Sequence, residues 1–163
     1  MTAAGNRLRR AGRGRLPDGA HVTWSVADGS RGRRWRWTLA DVGSFVHSGL
    51  IELDSQAQFA RLELATRHGM LTLHPEPDGR SISGNVVSAA GVRGLSYAWH
   101  AGASLAIAAD AFATTILATG EGTATLVIEP RLAIVEGGVA HRLPVDQRGV
   151  PLLIDAEEWA LEE

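Results

Sequence analysis

The segment His74-Pro75-Glu76-Pro77-Asp78 places an imidazole and two carboxylates within five residues, on a loop stiffened by two prolines. Imidazole and carboxylate are the groups that hold a divalent metal or share general acid–base work, so His74, Glu76 and Asp78 are weak candidates for a metal-assisted or hydrolase-like site. His47 and His68 would join them only if the fold carried those residues to the same place. The competing reading, a solvated turn shaped by its prolines, is preferred. His141 stands between Val139 and Leu143 in an alternating segment and reads as a core or rim residue before it reads as a ligand. Asn85 follows Gly84 inside a strand-like stretch. A glycine there marks a bulge or a close backbone approach; the neighbouring amide would suit a ligand carbonyl or hydroxyl, but a bulge with a locally bonded Asn is the preferred reading. Tyr97 and Trp99 share a face beside His100 and form the most ligand-like aromatic group, although core packing is the preferred reading.

Other chemistries are excluded by composition. The chain has no cysteine, so thiolate nucleophiles, disulfides and cysteine-held metals are impossible. All 16 basic residues are arginine, which removes Schiff-base and lysine general-base mechanisms. No nucleophile elbow, phosphate-binding loop, zinc-protease signature or dinucleotide fingerprint occurs, and no cofactor is expected. A catalytic reading would rest on histidines, carboxylates and hydroxyls alone.

The elements that must position these groups read as strands. His21–Val26 alternates with Val22, Trp24 and Val26 on one face; Arg33–Leu39 alternates with Trp35, Trp37 and Leu39 on one face. Joined by Asp28-Gly29-Ser30-Arg31-Gly32, they make a hairpin with three buried tryptophans. The run Arg-Arg-Trp-Arg-Trp therefore does not read as a nucleic-acid stacking patch, because a strand sends Arg34 and Arg36 to the face opposite Trp35 and Trp37. Gly43–Asp54 is extended. Phe59–Leu64 and Met70–His74 form a second hairpin, with Leu62, Leu64, Leu71 and Leu73 inward. Further strands are expected at Ser81–Ser88, Val92–His100, Leu105–Ala108, Thr123–Glu129, Arg131–Glu136, Val139–Leu143 and, briefly, Val150–Ile154. Asp110–Ala118 is the best helix candidate, with Asp110 as cap and Phe112 and Ile116 on one side. The end of the chain, from Asp155, suggests a helical turn docking Trp159 and Leu161. Roughly ten short strands with turn signals every 8–12 residues define a mainly β fold, an antiparallel sandwich or barrel-like sheet with one or two short helices.

Charge divides the sequence. Residues 1–15 carry five arginines and no acid, leaving 11 arginines against 18 acids, or −7, for the rest. Residues 1–19 are expected to be a flexible basic tail and residues 20–163 one β-rich domain. An acidic body disfavours nucleic acid, no apolar run spans a bilayer, and the N-terminal stretch lacks a secretory core, so the expected address is the bacterial cytoplasm. The leading functional expectation is a non-enzymatic module that binds a small apolar or amphipathic ligand or a protein partner. Its expected site residues are Trp24, Trp35, Trp37, Asn85, Tyr97, Trp99 and His141, and its exposed edges favour a homodimer. The first alternative is the enzyme built on His74, Glu76 and Asp78. The second is a regulatory protein docking through its arginine-rich tail.

Overall fold

A computed structural model describes residues 8–56, 58–67, 69–98, 104–108, 116–119, 133–136, 139–141, 146 and 150–160. Alternation of apolar and polar residues, strictest in β2 (His21–Gly29) and β3 (Gly32–Asp41), also gives β5 (Phe59–Thr66), β6 (Gly69–Pro75) and β7 (Ser81–Ser88). With β1 (Arg9–Arg15), β4 (Ser44–Leu53), β8 (Gly91–Ala98) and β13 (Ile154–Ala160), they form one antiparallel sheet of nine strands. Its order is β13-β1-β2-β3-β4-β5-β6-β7-β8, a meander that follows the chain except where β13 returns to β1. A second, four-stranded sheet has the order β10-β9-β11-β12, with β9 (Ser104–Ala108), β10 (Ile116–Thr119), β11 (Ala133–Glu136) and β12 (Val139–His141). In it β11 runs parallel to β9.

The mainly β antiparallel class is thus as read from the sequence, but the helices are not. Ile116–Thr119 pairs antiparallel with β9 instead of closing a helix, as its β-branched residues favour; the rest of that helix candidate lies outside the described residues, as does Thr123–Glu129. The C-terminal segment is strand β13, not a helical turn, and Trp159 is half exposed on it. Its alanines and glutamates suit a helix locally, but pairing with β1 overrides propensity.

Residues 9–15 are likewise a strand rather than a tail. β1 pairs β2 from Arg9↔Ala27 to Arg15↔His21, and on its other side pairs β13. Three ion pairs join its arginines to the acidic end: Arg10 Nη2 to Glu158 at 2.5 Å, Arg13 Nη2 to Glu157 at 2.8 Å, and Arg15 to Asp155. A register shift between Arg13 and Arg15, with Asp155 at φ 50°, lets each carboxylate meet its arginine.

The inner face of the sheet holds a single buried cluster. Val22, Trp24, Val26, Trp35, Trp37, Leu39, Ile51, Leu62, Leu64, Leu71, Leu73, Ile82, Val86 and Leu95 belong to it, with Leu16, Ala20 and Val150 from outside the strands. Residues facing each other across neighbouring strands build it, such as Trp24↔Trp37 and Leu64↔Leu71. Two positions show how tight it is. A Cβ on Gly12 would lie 2.8 Å from the Trp24 ring, and one on Gly49 would lie 2.2 Å from the Trp37 ring.

Candidate functional site

The period of two that fills the core sends the alternate residues to the outer face. There register sets Ser25, Arg36, Leu50, Glu63, Thr72 and Asn85 in one row across β2–β7. The next row is Thr23, Thr38, Ser48, Ala65, Met70 and Val87. Between these rows runs an open groove of about 450 Å³, lined by Thr23, Ser25, Arg36, Thr38, Ser48, Leu50, Glu63, Ala65 and Met70 over a floor from Trp24, Trp37 and Gly49. The hydroxyls of Thr23, Ser25, Thr38 and Ser48 lie toward β2–β4, while Ala65 and Met70 lie on β5 and β6. Leu50 belongs to this outer face but is buried between Arg36 and Glu63. The groove's β2–β4 side carries the hydroxyls and Arg36, and its β5–β6 side carries Ala65 and Met70 beside Glu63.

Charges around it are mostly satisfied. Arg34 pairs with Glu52 across β3 and β4, and Arg61 pairs with Glu63 along β5. Arg33 donates to Asp28 through Nε at 2.5 Å and Nη2 at 2.8 Å, closing the β2–β3 hairpin, with its guanidinium 5.6 Å from the centre of the Trp35 ring. That bidentate bond holds the Asp28 carboxyl below the usual carboxylate range and raises Arg33. Arg36 is exposed within the groove and forms no ion pair among the described residues.

The expected site residues separate. Trp24, Trp35 and Trp37 are core side chains, 7%, 3% and 5% exposed, and the first and third border the groove only as its floor. Asn85 is exposed on the outer face, opposite Thr72 and beyond the groove. Tyr97 stands opposite Ile82 in β8 and His141 opposite Ile134 in β12; their side chains, and all of Trp99 and His100, lie outside the described residues. Among the described residues, the groove opens on the outer face of the same strands whose inner face holds the three tryptophans.

The acidic loop is held by its own contacts. Asp78 accepts hydrogen bonds from the Arg80 amide at 2.8 Å and from the amide and hydroxyl of Ser81, which hold its carboxyl below the ordinary range. Ser83 donates to Glu76, and His74 Nδ1 stands 3.7 Å from Glu76. His47 does not approach this loop; it is 4% exposed in the core, where its Nδ1 accepts a 3.1 Å hydrogen bond from Trp37 Nε1. His68 lies outside the described residues. Among the described residues no group of three or more histidines and carboxylates converges on a metal-sized point.

Four residues that line the groove, Arg36, Ser48, Leu50 and Met70, carry no site signal in the sequence. They come from strands β3, β4 and β6, and register alone assembles them. No protein-family model, curated protein or solved structure matches this chain.

Proposed function

We propose that this protein is a small-ligand-binding module whose site is the outer groove of the nine-stranded sheet, and that the ligand is amphipathic. The observation that carries this reading is the set of hydroxyls on β2–β4 facing the apolar side chains of Ala65 and Met70 on β5 and β6. Hydroxyls at fixed spacing bond a polar head, while the apolar side removes a hydrocarbon body from water, at about 0.8 kcal/mol per buried methylene. The tail-docking alternative has less to act with, since Arg10, Arg13 and Arg15 already engage the C-terminal carboxylates. The acid–base alternative gains no support from a loop whose Asp78 is turned onto its own backbone.

The test is a titration of the full chain with 1-octanol, followed by intrinsic fluorescence, because Trp24 and Trp37 form the groove floor. Saturable binding is expected, and Ala65→Phe, which fills the groove from a partly exposed position, is expected to abolish it without lowering the unfolding midpoint. Absence of saturable binding, or full retention of it in Ala65→Phe, overturns the reading.

A further inference from the structure

The groove does not end at Met70. Register continues the row Ser48↔Ala65↔Met70 through Met70↔Val87 and Val87↔Val92, so an apolar ladder leads from the hydroxyl-lined side to β8. Its members are unusually exposed for their type: Met70 47%, Val87 42% and Val92 72%. At about 4.8 Å per strand, the four steps from Ser48 to Val92 span roughly 19 Å. At the other end stands Arg36. Its neighbours Arg33, Arg34 and Arg61 each hold a carboxylate, namely Asp28, Glu52 and Glu63. Arg36 alone of these four has no carboxylate among the described residues, and it faces Ser25 directly across β2.

A guanidinium with no carboxylate partner, set beside hydroxyls, can donate to a carboxylate, because its planar fork matches the two oxygens. Glu63, the acid in the groove, has its charge countered by Arg61. We propose that the ligand is an unbranched chain carboxylate: its head on Arg36 and the hydroxyls of Ser25, Thr38 and Ser48, its chain across Leu50 and along Ala65, Met70 and Val87. This rests on the groove being the binding site, and it adds the charge of the head and the direction and length of the tail.

The two layers are separable by calorimetry on the full chain with octanoate, decanoate, dodecanoate and neutral 1-octanol, each below its aggregation limit. Affinity is expected to rise about two- to fourfold for each added methylene, as methylenes leave water for the ladder. Octanoate is expected to bind about tenfold more tightly than 1-octanol, and Arg36→Gln to weaken octanoate by about tenfold but 1-octanol by no more than about twofold. The double variant Met70→Ser, Val87→Ser is expected to flatten the dependence on chain length. Equal binding of octanoate and 1-octanol, both unaffected by Arg36→Gln, overturns the carboxylate assignment and leaves the groove reading standing. Binding of none of the four overturns both. If the double variant leaves the chain-length dependence intact and instead splits a dimer in sedimentation, the ladder is a contact between copies and the tail path is refuted.

Discussion

Gly49 is the most informative single position in the sheet. A Cβ there would lie 2.2, 2.4 and 2.7 Å from Cζ2, Cη2 and Cε2 of Trp37, where carbon atoms settle at about 3.5–4.0 Å. In Gly49→Ala the ring would have to retreat by about 1 Å or more. It has little room, being 5% exposed within the core. It is also tethered, because Nε1 donates to His47 Nδ1 at 3.1 Å and the two rings meet edge to face. A shift of that size breaks the bond and strands two buried polar nitrogens. Overpacking of this kind costs about 1–3 kcal/mol, and a lost buried hydrogen bond about 1–3 kcal/mol more. The gain from a stiffer unfolded chain returns about 0.4–1 kcal/mol. The expected net loss is about 1–5.5 kcal/mol, a large share of the ~5–15 kcal/mol that holds an ordinary domain together. Urea unfolding followed by fluorescence measures it. Gly94→Ala is the control, since a Cβ there meets nothing within 4 Å and the backbone is not left-handed; it is expected to be neutral. In a Trp37→Phe background, Gly49→Ala should cost clearly less than alone, because the clash is with the indole. A loss under about 0.5 kcal/mol, or equal losses in both backgrounds, refutes the argument that the ring sets residue 49.

Two further outcomes test the hairpins. Val42 sits at φ 41° beside Gly43 at φ 78° in the β3–β4 turn and is 94% exposed, so a β-branched residue occupies a left-handed position with nothing to pack against. Val42→Asn is expected to raise stability by about 0.5–1 kcal/mol in thermal unfolding; no gain would mean the turn is not strained. Asp28→Asn is expected to lose about 0.5–1 kcal/mol at neutral pH, a figure kept small by solvent screening of a partly exposed pair. Because Arg33 lowers the folded-state pKa of Asp28, that contribution is full above the ordinary value of 3.8 and fades as pH falls through the lower folded value. Unfolding midpoints of the two proteins should therefore converge in strong acid, and a gap that persists there refutes the ion-pair account.

The alternating strands were legible because period two is a local signal: Val22, Trp24 and Val26, or Leu71 and Leu73, declare a face without knowledge of any neighbour. What was not legible depended on partners far along the chain. Arg-Arg-Ala-Gly-Arg-Gly-Arg has little strand propensity, and its identity as β1 follows from pairing with acidic residues about 140 positions away. His47 was obscured differently. The register shifts between Leu39 and Ala40, so β4 does not alternate cleanly; His47 turns in opposite Leu39 while Phe45 is left 43% exposed. The groove carries no local signal at all, since each strand supplies only one to three of its residues.

That last fact bears on how the site and the fold depend on each other. On β3, Trp35, Trp37 and Leu39 are buried while Arg34, Arg36 and Thr38 are exposed, so adjacent residues serve opposite faces. A substitution at Arg36 or Met70 leaves the inner cluster untouched, whereas one at Trp37 or Gly49 reaches the groove only through its floor. The outer rows can therefore change in charge or length of apolar ladder without loss of the core, and groove variants of this sheet are suited to measuring binding apart from stability. The coupling that remains runs through Leu50, an outer-face residue that is 6% exposed. Among the outer-row side chains of the groove, it is the one whose replacement is expected to move ligand affinity and unfolding midpoint together, because its burial serves the site and the sheet at once.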